Sequence, residues 1–214
     1  KQMCETPIVI TVHSYLRAET DLTKKKSGLV NRVLSSADAI INVSHVDYEK
    51  GLRLGFITQG RHYIIHNALE SAMSSSSLKY REREGVCFVG SLSELKRPDV
   101  LADVMKLDYF RARKLAIVGD GPLLGAIKLD SPDKNIVQFY GNLPNKKVRQ
   151  IIRQSVALVV PSTSESFGLV YLEAILEETA VAGFSPIIKE FHKVLELDEE
   201  ERELVVPITE FEVT

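Results

Sequence analysis

The sequence predicts an α/β protein built on Rossmann-like parallel sheets, and three observations carry that prediction. Short apolar runs rich in Val and Ile recur along the 214 residues, and longer segments of helical periodicity separate them. The runs are almost continuously hydrophobic instead of alternating. Alternating strand and helix signals mark βαβ units, and strands apolar on both sides suit a sheet covered by helices on both faces.

In chain order, strands are expected at 7–12 (PIVITV), 39–43 (AIINV), 62–65 (HYII), 86–89 (VCFV), 114–118 (KLAIV), 135–139 (NIVQF), 157–160 (ALVV) and 180–183 (AVAG). Helices are expected between them at 24–35, 46–54, 98–106, 145–154 and 169–178. One region breaks the rhythm. Residues 67–84 carry Ser71, four serines at 74–77 and then a mixed-charge run from Lys79 to Glu84, which reads as a linker. The chain therefore divides into a partial first domain (1–69), a linker (70–84) and a second Rossmann-like domain (85–214). About three strands are too few for a doubly wound domain of its own, and the first part lacks a glycine-rich opening turn. The chain also begins with Lys1, so it reads as a fragment whose first domain has lost its opening strands. No internal repeat is visible.

Composition narrows the functional classes. With 44% hydrophobic and 26% charged residues the chain is of ordinary globular type. Its 27 basic and 29 acidic side chains leave a net charge of -2, which offers no field to attract nucleic acid. Cys4 and Cys87 lack metal-ligand spacing and read as reduced thiols of a cytoplasmic protein. No run of eighteen apolar residues and no leader signal is present, so the Asn42-Val43-Ser44 sequon reads as accidental. Lys24-Lys25-Lys26 reads as a solvated helix start, with a peripheral contact to an anionic membrane as the lesser alternative. The acidic run from Asp198 to Glu203 reads as a solvated face.

In an open parallel sheet, ligands bind where strands deliver their carboxyl ends into loops. Three such exits stand out. Ser164-Glu165-Ser166-Phe167-Gly168-Leu169-Val170-Tyr171-Leu172-Glu173 places Glu165 in a loop and Glu173 about one turn into a helix. Carboxylates are rarely buried without a partner, so core packing alone does not explain them. Between them, the amides of Ser166, Phe167, Gly168 and Leu169 sit at a helix N-terminus, suited to a phosphate. The acids would then accept hydrogen bonds from neutral sugar or ribose hydroxyls. Val89-Gly90-Ser91 leads on to Lys96 and Arg97, and Val118-Gly119-Asp120-Gly121-Pro122 is a second glycine-bearing exit. Lys96 is chemically sensible as a phosphate-facing charge. Each motif alone has a bland reading, as a tight turn or an exposed helix start; their order and spacing carry the weight.

That order resembles the retaining GT-B glycosyltransferases, in the large family that includes mannosyltransferases and sucrose and trehalose synthases. Glu165 and Glu173 match the family's glutamate, seven residues, glutamate motif, flanked by Pro161-Ser162, Phe167-Gly168-Leu169 and Glu173-Ala174. Phe88-Val89-Gly90 with Lys96, Val118-Gly119-Asp120-Gly121-Pro122 and Phe139-Tyr140-Gly141 match as well, so the resemblance covers residues 86–183. Ala37-Asp38-Ala39-Ile40, Val43-Ser44 and Ile65-His66-Asn67 resemble the end of the family's first domain more loosely.

The resemblance implies a sugar transferred from a UDP-, GDP- or ADP-sugar to a glycan, lipid-linked or small-molecule acceptor, with retention and without a metal or other cofactor. It implies that Glu165 holds a donor-sugar hydroxyl, Glu173 the ribose and Lys96 the diphosphate, with the backbone from Ser166 to Leu169 helping to seat it. His13 would lie near the transferring sugar. The sequence holds no Asp-x-Asp pair or histidine cluster suited to a divalent ion. Three departures stand against the pattern. Ser91 replaces the arginine usual after Val-Gly, leaving Arg97 to substitute; Glu178-Thr179-Ala180 replaces a Gly-x-Pro turn; and Ser185-Pro186 replaces a glycine pair. They keep two alternatives open, a weak or inert relative that binds a sugar nucleotide or a partner protein, and a nucleotide-sugar epimerase.

Overall fold

The computed structural model describes residues 6–15, 24–57, 61–69, 82–104, 114–130 and 136–208. Cys4, the end of the expected helix 98–106 (105–106), most of the linker (70–81) and the first residue of the sixth expected strand (135) lie outside the described residues. Two compact units emerge, one of Lys1–Ala68 with Glu165–Phe167, the other of Leu69–Ser164 with Gly168–Thr214.

The first unit carries β1 (Val9–Val12), α1 (Lys24–Ser36), β2 (Ala39–Asn42), α2 (His45–Arg53) and β3 (His62–Ile64). Its strands form a three-stranded sheet in the order β1-β2-β3, all parallel. Tyr15, Leu34, Ile40 and Phe56 make its buried centre, with the Tyr15 and Phe56 rings stacked 5.8 Å apart. Ser44 caps α2 by accepting from the Asp47 amide, which satisfies one of the helix's orphan donors. Lys24-Lys25-Lys26 open α1, as the sequence predicts; their side chains lie outside the described residues.

The second unit holds β4 (Val86–Val89), α3 (Pro98–Val104), β5 (Leu115–Val118), α4 (Leu124–Asp130), β6 (Val137–Gly141), α5 (Asn145–Gln154), β7 (Ala157–Val159), α6 (Leu169–Leu176), β8 (Ala180–Phe184), α7 (Ser185–Val194), α8 (Glu199–Leu204) and β9 (Val205–Ile208). Its six strands run parallel in the order β6-β5-β4-β7-β8-β9. Counted within this sheet the order is 3-2-1-4-5-6, the doubly wound arrangement, whose switch point lies between β4 and β7. Phe88, Leu101, Leu115, Ile117, Ile152, Leu158, Tyr171, Ile187 and Phe191 are buried around it.

Four elements go beyond the sequence reading. The strand β9 contains Pro207, which argues against a central strand; at the sheet edge the missing N–H is tolerated. The helix α7 starts on Ser185-Pro186, where proline's fixed φ suits the first turn, and it buries Ile187, Ile188 and Phe191. The acidic run is not merely a solvated face but the exposed helix α8, with a full capping box between Asp198 and Glu201. The short helix α4 follows the Gly-Asp-Gly-Pro exit. Among the described residues no helix is long and apolar enough to cross a membrane.

Candidate functional site

The exits of β4, β5 and β6 are laced together by backbone. Gly90 N–H donates to Val118 O, Leu92 N–H to Asp120 O, and Gly119 N–H to Gly141 O, at 3.0, 3.0 and 2.8 Å. A Cβ built on Gly119 would sit 1.9 Å from Gly90 O, at a φ of +131°, and one on Gly121 2.5 Å from Leu92 O. No side chain fits there, so Gly-Asp-Gly is more than a tight turn: it lets one strand exit press on the next. The β7 exit joins them, because Thr163 N–H donates to Leu95 O at 2.9 Å. Both loops that flank the switch point are thereby tied in one place.

The half-buried Lys96 runs its aliphatic stem beside this glycine platform; a Cβ on Gly90 would lie 3.9 Å from Lys96 Cδ. Arg97, the expected substitute for the missing arginine, follows Lys96 and is half-buried. It adopts the left-handed conformation (φ 47°), and its guanidinium pairs with Asp99 at 3.4 Å. That carboxylate offsets the charge Arg97 would offer a phosphate. Ser91 is exposed, its hydroxyl 3.1 Å from that of Ser93.

At the start of α6, Gly168 occupies the N-cap with φ 71° and has no side chain to cap the first amides. A Cβ there would lie 2.4 Å from Tyr171 Cδ2. Tyr171 is the pillar of this corner. Fully buried, it donates its hydroxyl to Val160 O and accepts from the Phe184 amide, which fixes α6 against β7 and β8. Leu169, the first helical residue, is 43% exposed. Glu173 is half-buried one turn along, and its Oε1 accepts from Asn145 Nδ2 at 2.7 Å.

Glu165, Ser166 and Phe167 group with the first unit, whereas Glu173 belongs to the second. Glu165 is buried at 7% exposure. The Ser44 hydroxyl donates to Ser166 O, while Ser166 Oγ is buried without a hydrogen-bond partner. The Phe167 ring lies 5.8 Å from His66, whose ring lies 5.8 Å from His45. His13 follows β1 and is exposed. Sequence reading left out Asn145, Tyr171 and the His45–His66 pair, since nothing in linear spacing links residues 21 or 28 apart.

The departure after Glu173 falls elsewhere. Because α6 runs back from the carboxyl ends of the strands, its own C-terminus lies at the sheet's opposite edge. Glu178 takes the left-handed φ of 54° in place of glycine. Arg83 donates to Glu177 O, Glu178 O and Thr179 Oγ1. The Glu177 carboxylate lies between Arg149 and Arg153, each at 2.6 Å. Burial pushes the Glu177 carboxyl up most strongly of any single influence. Together, the hydrogen bonds and charges of Arg153 and Arg149 outweigh it and hold the group below the ordinary carboxylate range. The turn that replaces Gly-x-Pro is thus tied into the fold by Arg83, Arg149 and Arg153.

Residues 71–200 match the model of the family described as glycosyl transferases group 1. A D-inositol 3-phosphate glycosyltransferase of Nocardia farcinica is 38% identical over 111 residues, covering 45% of this chain and 24% of the relative. Among solved structures, Anabaena HepE in complex with UDP and glucose superposes with a TM-score of 0.69 at 20% identity, over 83% of this chain and 52% of that one. Sucrose-phosphate synthase from Thermosynechococcus elongatus gives 0.70 at 20%, over 86% and 51%. The parallel α/β sheets are thus those of GT-B glycosyltransferases. The matches span about a quarter of the curated relative and about half of each solved chain.

Proposed function

The chain belongs to the glycosyl transferases group 1 family, and from that membership we propose that its second unit binds the nucleoside diphosphate of a sugar donor. The whole protein then moves the sugar to an acceptor hydroxyl with retention of configuration. One observation carries the reading: glycine-bearing exits of β4 and β5, tied to the β7 exit at the switch point of a 3-2-1-4-5-6 sheet, beside Lys96. In this reading Lys96 and the uncapped amides from Gly168 onward stabilise the diphosphate as its bond to the sugar carbon breaks, an electrostatic term that is often the largest. In the same reading a cation and helix-start amides receive the phosphate oxygens directly, without a metal. Glu173 accepts from the ribose, Glu165 from a donor-sugar hydroxyl, and His13 faces the transferring sugar. UDP in the HepE complex supports UDP as the first nucleotide to try. The free, buried thiol of Cys87 fits a reducing, cytoplasmic setting.

Calorimetric titration of the chain with UDP, GDP and ADP tests the reading. Saturable heat from one of them is expected, and no heat from any at millimolar concentration overturns it. A second reading, a relative that binds but turns over weakly, is favoured by Ser91 and by Arg97 being engaged with Asp99. Donor binding by the full-length protein without sugar release or transfer supports it over the first.

A further inference from the structure

Glu173 stands on α6 and Asn145 at the first turn of α5, 28 residues apart, yet their side chains meet at 2.7 Å. Only the amide nitrogen of Asn145 can donate to a carboxylate, so the chemistry fixes which way that amide faces. The contact is one-sided. Oε1 of Glu173 accepts from Asn145, and among the described residues no hydrogen bond reaches Oε2. A glutamate side chain free to sample its rotamers loses that freedom on gripping a ligand. One pinned by a short, two-torsion side chain on a neighbouring helix has lost it beforehand, which is the usual route by which preorganisation raises affinity.

We propose that Asn145 is a positioning residue for Glu173, setting its carboxylate to receive the 2′- and 3′-hydroxyls of the nucleoside diphosphate. This rests on the reading that the second unit binds such a nucleotide. Core packing does not account for the pair: Asn145 is exposed and Glu173 half-buried, so neither needs the other to avoid a buried orphan. It also lies at the head of α5, on the same side of the sheet edge as the exit of β6 from which that helix starts.

The test compares binding of UDP, GDP and ADP with that of their 2′,3′-dideoxy counterparts, in the native chain and in Asn145→Ala, Asn145→Asp and Glu173→Ala. A positioning role changes the ratio of the two affinities, whereas a purely structural role lowers both together. The native chain is expected to prefer the ribonucleotide, and Glu173→Ala to abolish that preference. Asn145→Ala should cut it by about tenfold, the scale of one charge-assisted hydrogen bond, while dideoxynucleotide affinity stays put. Asn145→Asp, which keeps the size but turns a donor into a like charge, should cut it at least as far. Unchanged preference in both Asn145 variants, or equal weakening of ribo and dideoxy binding, overturns the inference alone. No nucleotide binding by the native chain overturns the reading beneath it as well.

Discussion

The two ends of α6 solve the same problem in opposite ways. At its start, Gly168 holds a left-handed backbone and supplies no capping side chain. At its end, Glu178 holds a left-handed backbone too, but Arg83, Arg149, Arg153, Glu177 and Thr179 tie the turn to its surroundings from within. A helix end must have its polar groups satisfied somewhere. In the proposed reading the first end belongs to the edge of the sheet that receives the nucleotide, and the second to the edge that holds the fold.

That contrast breaks most visibly at Glu177. Glu177→Ala leaves two arginines facing each other in a mostly buried place and should cost about 3 kcal/mol, read by urea unfolding, with nucleotide affinity unchanged. The same group gives a pH signature. Because its folded pKa is lowered, its contribution is complete above the ordinary carboxylate range and is lost as pH falls through the lower folded value. Native protein should therefore lose more stability on acidification than Glu177→Gln does.

Gly119→Ala should blur the contrast instead of breaking one side. Its Cβ collides with Gly90 O, so the strand exits separate; about 2 kcal/mol of stability and most nucleotide binding should go together. Lys96→Ala sharpens the comparison from the other end: nucleoside diphosphate affinity should fall by about tenfold or more, with a thermal midpoint within a degree or two of native. The smallest effect is expected from Glu178→Gly, which relieves a strained backbone but loosens the unfolded chain. A net gain of about 0.5 kcal/mol is the expected balance, again without change in binding. A loss of nucleotide affinity in Glu177→Ala or Glu178→Gly would show that the two edges are not separable.

Much of this was legible beforehand. Local propensity and hydrophobic pattern are properties of short windows, so β4 and α5 fall where the sequence puts them, and Gly90, Gly119 and Gly168 mark their turns by residue type alone. Weak windows failed: β9 hides behind a proline that only an edge strand tolerates, and α4 and α8 are too short for a period to declare itself. The chain's own residues thus determined the α/β class, the strand exits and the motif that places it in its family. Tertiary structure alone decided that Arg97 spends its charge on Asp99, that Arg83 and two α5 arginines stand in for a missing Gly-x-Pro, and that Asn145 reaches Glu173. Those are contacts between segments tens of residues apart or choices among nearby partners, and their free energies depend on where the packed backbone brings each charge.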